Sequence, residues 1–387
     1  MIYLDNSATT FPKPPSVKEA MISFLDTVGA NSGRSGHTLS IDSGRILYEC
    51  RRTLSHFIGQ KEIFRTIFTL NATQALNTCL QGILKEGDVV LVSSLEHNSV
   101  MRPLYELQTK KGIVIRTIPA NSLSLLDMDK ARELAKGVRM IACVHGNNVT
   151  GALLPLFELS AIAKENGALF LVDASQSLGS IALNMETLGI DFLCASGHKG
   201  LLGPMGTGFF SFSKNVPLDH FETLLQGGTG SKSEAMIQPH ILPDKYESGT
   251  MNMLGIAGLL AGIRWIEAKG ICTINEHEQA LRHYLVSGMR TLKNLTVCEV
   301  DNTLSTTATV SFYMKEKNIS DIAMALDRNF GILTRVGLHC SPATHCTIGT
   351  YAQGGTVRLS SGIFNTQKEI AYVLEALDKI AIGKGSA

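Results

Sequence analysis

The sequence lacks the features that mark membrane proteins and nucleic-acid-binding proteins. It has no apolar run long enough to span a bilayer, no cluster of basic residues, and a net charge of only +1 from 35 basic and 34 acidic side chains. This balance gives no electrostatic footprint for nucleic acid or for an anionic membrane surface. We therefore expect small molecules or specific proteins as partners, with no nucleic acid and no membrane.

We also expect no secretory leader, because the opening Met-Ile-Tyr-Leu-Asp has neither a charged segment nor a long apolar one. The eight cysteines are then expected to be reduced thiols, most of them small core residues. Internal repeats and low-complexity segments are lacking as well. These absences predict a cytoplasmic globular protein.

The composition and the order of the predicted elements suggest an α/β fold. The 387 residues, 44% of them hydrophobic, are enough for a sizeable core. Short β-rich runs alternate with helical patterns, which favours a mostly parallel sheet covered by helices on both faces. Ligands gather at the carboxyl ends of the strands in such sheets. From about residue 255 the pattern changes to a smaller α+β unit. The predicted strands are 89–93, 112–118, 140–144, 169–172 and 192–195, with a helix at 156–166.

The most informative segment is Ser-Gly-His-Lys-Gly at 196–200, which follows the predicted strand 192–195 and precedes further glycines. Lys199 alone would be read as an ordinary loop lysine. The glycines let the backbone approach a ligand closely, and a partly buried lysine can lose its proton and form a Schiff base. Lys199 is therefore a candidate for that chemistry.

Other polar residues follow predicted strands in the same way. Asp173 directly follows the run 169–172. A carboxylate there suits the ring nitrogen of pyridoxal 5′-phosphate (PLP), although a helix N-cap would look the same. His97 follows strand 89–93 and either stacks on a planar cofactor or is a satisfied polar residue. Residues 69–77 place small and polar side chains at a predicted helix start, which suits a phosphate but is common in helices.

In order along the chain, these segments resemble the class V (fold type I) PLP-dependent enzymes, specifically the cysteine desulfurase and selenocysteine lyase family. The resemblance covers nearly the whole chain. It implies an N-terminal arm at 1–14 packed with the small domain, a large PLP-binding α/β domain at 15–258, and a small α+β domain at 259–387 with the catalytic cysteine. The motifs are 3–10, 31–34 with His37, 69–77, 96–97, 172–173 with Gln176, 196–199, 246–250, 335–340, 357–360 and 364–366.

The resemblance implies a role for each matching residue at the cofactor. Lys199 would carry PLP as a Schiff base, and His97 would stack on the ring as a further catalytic residue. Asp173 would contact the pyridine nitrogen and Gln176 the phenolic oxygen. The implied phosphate contacts are Ala72, Thr73, Ser196, His198 and, from the second subunit of a homodimer, Thr250.

A desulfurase also needs a second nucleophile, for which Cys340 is the candidate. It lies in Arg-Val-Gly-Leu-His-Cys-Ser at 335–341, which resembles the group II (SufS-like) pattern Arg-x-Gly-His-His-Cys-Ala and departs from it at Leu338 and Ser341. Nearby positive charge would favour a thiolate, while an ordinary loop cysteine is the plain alternative. The implied substrate contacts are Arg358, whose guanidinium suits a carboxylate, Asn148, Arg335 and His339. The resemblance also places Asn148 near the cofactor.

A metal site is the rival interpretation of this stretch. His339, Cys340, His345 and Cys346 are of the residue types that bind zinc. Adjacent ligands in one short loop are not a usual zinc spacing, so we expect no metal. Cys346 either relays sulfur from Cys340 or is a bystander, and we favour the bystander.

Residues and resemblance together predict a PLP-dependent cysteine desulfurase. It would convert L-cysteine to L-alanine and hold the sulfur as a persulfide on Cys340 for an acceptor protein. A selenocysteine lyase or a cysteine/cystine C–S lyase would share the same site. A class V aminotransferase or epimerase is less favoured, although one fold hosts many chemistries. A non-catalytic sulfur-transfer scaffold is also less favoured, because Lys199, Asp173 and His97 are all retained.

Overall fold

The computed structural model describes residues 1–33, 36–232 and 234–382. Arg34, the last residue of the motif at 31–34, therefore lies outside the described residues. The helices are α1 (Pro15–Thr27), α2 (Thr38–Phe57), α3 (Ala72–Ile83), α4 (Asn98–Lys111), α5 (Met128–Leu134), α6 (Leu156–Glu165), α7 (Met253–Lys269), α8 (Ile271–Met289), α9 (Ile319–Phe330), α10 (Pro342–Thr347) and α11 (Gln367–Ala381). Two short 3-10 helices are Ile63–Arg65 and Leu218–His220.

The strands form one large and two smaller sheets. The large sheet supports the candidate active site. The strands are β1 (Ile2–Tyr3), β2 (Thr66–Thr69), β3 (Val89–Ser93), β4 (Val114–Ile118), β5 (Met140–Val144), β6 (Leu169–Asp173), β7 (Phe192–Ser196), β8 (Gly208–Phe212), β9 (Leu295–Val297), β10 (Thr309–Met314), β11 (Ile332–Leu333), β12 (Arg335–Gly337) and β13 (Thr356–Ser360).

The large sheet has seven strands in the order β2-β8-β7-β6-β5-β3-β4. Strands β3 to β7 are parallel, whereas β8 runs antiparallel to its neighbours β7 and β2. Alternate residues of each strand enter two separate hydrophobic cores, one on each face. Helices α6 and α7 contribute to the first core, and α3 and α4 to the second. Burial on both faces explains why these strands read as continuous apolar runs.

The smaller body is built on a four-stranded antiparallel sheet, β12-β13-β10-β9. Helices α8, α9 and α11 pack with it around a third core. The N-terminal arm joins this body, because β1 pairs in parallel with β11 and Leu4 is buried in the same core. Within the described residues, no helix is both long and apolar enough to cross a membrane.

The predicted fold class is confirmed: a large, mostly parallel sheet is flanked by helices and followed by a smaller α+β part. Strands β3 and β5 have the predicted bounds, while β6 and β7 each extend one residue further, to Asp173 and Ser196. Asp173 is therefore the last residue of β6, and Lys199 follows the end of β7 by three residues. The division at 258/259 stays a proposal. The side chains of α7 pack in the core of the large sheet, so by packing this helix belongs with the larger body.

Candidate active site

One cavity of about 100 Å³ lies where the carboxyl ends of β5, β6 and β7 face the starts of α3 and α4. Parallel strands bring their carboxyl ends to one edge of the sheet, so polar residues distant in sequence meet there. Most of the predicted cofactor residues line it. The lining consists of Asn71, Ala72, Thr73, His97, Ser99, Val144, Asn148, Asp173, Ser175, Gln176, Ser196, His198 and Lys199.

Lys199 lies in a tight loop after β7 that the N-terminal arm holds in place. The hydroxyl of Thr10 donates to the Lys199 carbonyl at 2.8 Å, and the Lys13 amine donates to the His198 carbonyl at 2.6 Å. Burial, opposed by the charge of Asp173 and helped by that of Arg358, lowers the pKa of the Lys199 amine to about 8. The amine therefore loses its proton far more readily than an exposed lysine does.

Asp173 is the last residue of β6 and is 4% exposed. Its Oδ1 accepts a hydrogen bond from the backbone N–H of Ser175 at 2.9 Å. Its negative charge raises the pKa values of both His97 and Lys199, against the lowering caused by burial. A carboxylate held by a backbone N–H thus lines the cavity.

His97 caps helix α4, and its ring also lines the cavity. Its Nδ1 accepts from the backbone N–H of Ser99 at 3.1 Å and lies 3.0 Å from the Ser99 hydroxyl. Burial lowers the pKa of His97 to about 4, so the ring is neutral at neutral pH. The two interpretations of His97, as a ring that stacks on a cofactor and as a hydrogen-bonded polar residue, are therefore compatible. The same side chain caps α4 and lines the cavity.

Helix α3 begins at the cavity. Asn71 is its N-cap and accepts from the backbone N–H of Gln74 at 2.9 Å. The Thr73 hydroxyl lies 2.8 Å from that of Ser99. Ala72 and Thr73 form the first turn, whose N–H groups and helix dipole favour an anion.

Two buried polar atoms beside this helix start have no hydrogen-bond partner among the described residues. They are the hydroxyl of Ser196 and Nδ1 of His198. Buried polar atoms are normally satisfied, so these atoms suit an additional group with oxygen acceptors. Together with the α3 N-terminus they fit a phosphate, and with Lys199 and Asp173 the whole cavity fits PLP.

Three predicted site residues have other surroundings in this chain. The Gln176 side chain lines the cavity but donates to the Ser7 carbonyl at 3.0 Å. Thr250 is exposed and lines a different cavity, beside Phe68. His339 is buried, its Nε2 lies 3.1 Å from the Thr356 hydroxyl, and burial lowers its pKa to about 2. A single chain does not test the predicted reach of Thr250 into a second subunit.

Arg358, on β13, is held by two contacts. Its Nη2 is 2.7 Å from Oδ1 of Asp5, and its Nη1 donates to the Asn148 carbonyl at 3.1 Å. The guanidinium is 1% exposed, and Nε has no partner among the described residues. The ion pair with Asp5 was not anticipated, although Asp5 stands in the motif at 3–10.

Glu96 is a second residue whose part the sequence reasoning missed, although it was included in the motif with His97. Its buried Oε1 accepts from the Ser93 hydroxyl at 2.5 Å and from the Val144 N–H at 3.0 Å. Burial raises the pKa of this carboxyl to about 8. Glu96 thus braces the loop that carries His97. An acidic residue directly after an apolar strand was the available signal.

Cys340 is exposed on the turn between β12 and α10. The Nη2 of Arg335 lies 3.7 Å from its sulfur, and its carbonyl accepts from the Asn98 N–H at 2.8 Å. Cys346 is exposed on α10, while the Nδ1 of His345 lies 2.7 Å from the Thr350 hydroxyl. Across residues 1–33, 36–232 and 234–382, no three His, Cys, Asp or Glu side chains are grouped to hold a metal ion.

Comparisons with known proteins agree with this geometry. The family model for class-V aminotransferases matches residues 2–373. A probable cysteine desulfurase of Methanothermobacter thermautotrophicus is 32% identical over 98% of this chain and 94% of its own length. A cysteine desulfurase of Escherichia coli O157:H7 is 30% identical, with 98% and 93% covered.

Solved structures give the same result. The apo structure of the cysteine desulfurase from Thermococcus onnurineus NA1 aligns with a TM-score of 0.93 and 33% identity, covering 99% of this chain and 95% of that one. The family resemblance drawn from the sequence motifs is confirmed, whereas the group II subtype stays a prediction. The chain belongs to the class-V aminotransferase family of PLP-dependent enzymes and is related within it to the cysteine desulfurases.

Proposed function

We propose that this protein is a cysteine desulfurase that converts L-cysteine to L-alanine and holds the sulfur as a persulfide on Cys340. One observation carries the proposal: Cys340 is exposed, its sulfur lies 3.7 Å from the Arg335 guanidinium, and its carbonyl accepts from the N–H of Asn98, the residue after the cavity-lining His97. A second nucleophile near the reactive lysine is what distinguishes a desulfurase from other chemistries on the same fold.

PLP is proposed as the cofactor. When bound, it supplies an electron sink for the bonds at the substrate α-carbon. Asp173 would keep a proton on its ring nitrogen, and His97 would cover the ring. The unpartnered Ser196 hydroxyl, His198 and the N–H groups at the start of α3 would hold the phosphate.

Lys199 would bind the cofactor aldehyde and then move protons at the substrate. Its lowered pKa supports both tasks, because the neutral amine is the nucleophile and the base. The side chains of Thr10 and Lys13 donate hydrogen bonds to backbone carbonyls of the loop around Lys199, and these bonds would keep the amine in position.

Arg358 and Asn148 would bind the substrate carboxylate. A guanidinium has five N–H donors, so the contacts with Asp5 and the Asn148 carbonyl leave donor capacity for a further acceptor. Asp5 would fix the orientation of the guanidinium. Arg335 beside the Cys340 sulfur and the buried His339 are weaker candidates for substrate contact.

The sulfur step would use the Cys340 thiolate. It attacks the substrate sulfur, a sulfur–sulfur bond forms and the substrate carbon–sulfur bond breaks. The electron pair of that bond stays with the carbon skeleton, which takes up a proton and leaves as alanine. The two sulfurs are thereby oxidised to a persulfide and the carbon is reduced, so no outside oxidant is needed. An acceptor protein would take the sulfur from the exposed Cys340.

Three further features belong to the same proposal. The enzyme would act in the cytoplasm as a homodimer in which Thr250 reaches the phosphate of the second subunit. The arm at 1–14, the large domain at 15–258 and the small domain at 259–387 would be its functional divisions. Cys346 would be a bystander.

The test is sulfide and alanine formation from L-cysteine by the PLP-loaded protein with a reductant. We expect Cys340→Ser to lower the rate at least about a hundredfold, because the nucleophile is lost, while the visible absorbance of the bound cofactor is kept. Cys346→Ser, an exposed thiol six residues away, is the matched control and should retain full activity. Unchanged desulfuration in Cys340→Ser would exclude the persulfide role. Alanine formed from L-selenocysteine without Cys340 would instead favour a selenocysteine lyase.

A further inference from the structure

We propose that Ser341 is a positioning residue whose hydroxyl fastens the turn carrying Cys340 to the side chain of Asn148. The inference rests on the proposed function, since it explains how the nucleophile of that reaction is held. Ser341 departs from the group II pattern, which has alanine after the cysteine. The hydrogen bonds of its hydroxyl are therefore a feature of this chain that the pattern does not contain.

The turn needs outside support because its backbone is strained. His339 and Cys340 are consecutive non-glycine residues with φ angles of 49° and 59°. Side chains disfavour this left-handed region, and such conformations persist only where the surroundings impose them. One bond, from the Ser341 N–H to the Leu338 carbonyl at 2.8 Å, closes the turn on itself.

Further bonds tie the turn to the large body, in addition to the one that the Cys340 carbonyl accepts from the Asn98 N–H at 2.8 Å. The Ser341 hydroxyl lies 2.9 Å from Oδ1 of Asn148 and 3.2 Å from the Glu96 carbonyl, both acceptors for its single proton. In return, Nδ2 of Asn148 donates to the His339 carbonyl at 2.6 Å. The Asn148 amide is thus bonded to the residue before Cys340 and to the residue after it.

Because the site is buried, loss of the Ser341 hydroxyl would leave its partner without a replacement. Ser341 is 0% exposed and Asn148 is 5% exposed, so water cannot readily replace a lost partner. Removing the hydroxyl would leave Oδ1 of Asn148 without this donor and the turn with fewer ties to the large body.

The same contact joins the nucleophile to the substrate site. Asn148 lines the cavity with Lys199, and its carbonyl accepts from Arg358. A substrate that engages Asn148 and Arg358 would therefore meet a Cys340 that is already fixed relative to them. Pre-set geometry of this kind raises the rate of a reaction step rather than the affinity for the substrate.

The test compares Ser341→Ala, Ser341→Thr and a matched control, Ser361→Ala. Ser361 is a buried serine whose hydroxyl has no partner among the described residues. Hydrogen exchange of the peptide covering 338–342 is measured first, in the cofactor-free protein. We expect exchange about tenfold faster in Ser341→Ala, the effect of one lost hydrogen bond. Ser341→Thr, which keeps the hydroxyl, and Ser361→Ala should exchange as the wild type does.

The second measurement is the split between kcat and KM for L-cysteine in the loaded enzyme. We expect kcat to fall about tenfold in Ser341→Ala with KM within about twofold, only a small fall in Tm from the unpaired Asn148 oxygen, and recovery of most of kcat in Ser341→Thr. Unchanged exchange in Ser341→Ala, or equal acceleration in Ser361→Ala, would overturn the proposal. If the wild type does not desulfurate cysteine but Ser341→Ala still exchanges faster, the proposed function fails and the positioning role of Ser341 stands.

Discussion

At the scale of single residues, burial lowers the pKa of the Lys199 amine, a change that the sequence around the residue does not reveal. The amine has a pKa of about 8 instead of its ordinary 10.5 because it is removed from water and Arg358 adds positive charge nearby. Between these two pH values the unfolded chain binds a proton that the folded chain does not. The free energy of unfolding therefore rises as the pH rises through this window.

This difference predicts a pH-dependent effect of Lys199→Met in the cofactor-free protein. At pH 7 the folded wild type holds a buried charge, so we expect the variant to be more stable by about 3 kcal/mol. The advantage should shrink above about pH 8 and vanish by about pH 10.5. Urea unfolding at pH 7 and at pH 10 measures it. Lys164→Met, which removes an exposed lysine, is the control, and its effect on stability should not depend on pH in this way. A pH-independent difference for Lys199→Met would contradict the role of burial.

At the scale of secondary structure, the start of α3 combines a structural cap with a proposed phosphate site. Asn71 caps α3 by accepting from the Gln74 N–H, and Asn318 caps α9 in the same manner from the Ser320 N–H. Only the first of these helix starts lines the cavity. Substitutions of these two N-cap residues can therefore distinguish an effect on helix stability from an effect on cofactor binding.

Asn71→Ala and Asn318→Ala are each expected to lower the free energy of unfolding by about 1 kcal/mol, since each removes one N-cap. Asn71→Ala should in addition weaken PLP binding severalfold, because the first-turn N–H groups lose their fixed arrangement. Denaturation of the cofactor-free proteins and titration with PLP measure the two effects. Equal PLP affinity in both variants would argue against a phosphate at the start of α3.

At the scale of the whole molecule, the proposed homodimer gives a function to Thr250. This residue is exposed and does not line the cavity that contains Lys199; it lines a different one. A symmetric dimer would bring the same surface of each subunit to the other, which is how Thr250 would reach the second phosphate.

Thr250→Ala is accordingly expected to weaken PLP binding about tenfold, the loss of one hydrogen bond to a charged group, without changing the sedimenting mass. Thr109→Ala, an exposed threonine on α4, is the control and should bind PLP normally. Sedimentation and PLP titration of the two variants test this. A monomeric wild type that binds PLP fully would contradict the dimer, and unaltered binding in Thr250→Ala would contradict the role of this residue.

The parts of the site that the sequence predicted are those carried by local patterns. Asp173 and Lys199 each follow an apolar run with little intervening chain, so the strand and the residue after it are visible together. Parallel strands then place both at one edge of the sheet. The exact neighbours of these residues were not visible, such as the bond from Gln176 to the Ser7 carbonyl.

The smaller body was harder to predict, because its contacts join distant parts of the chain. Asp5 and Arg358 are 353 residues apart, and nothing in either neighbourhood indicates their ion pair. The helix α10 and the short strands β11 and β12 occupy a stretch rich in glycine and polar residues, where the local pattern indicated mainly loop. There, pairing of β12 with β13 and of β11 with β1 decides the structure.

The sequence by itself therefore determined the α/β architecture, the family and the lysine, because apolar periodicity and ordered motifs are local properties of the chain. The tertiary structure decided what surrounds each residue: the pKa of Lys199, the ion pair that holds Arg358, and the strained turn that carries Cys340. Burial and long-range hydrogen bonds cause these properties, and both exist only once distant segments have packed together.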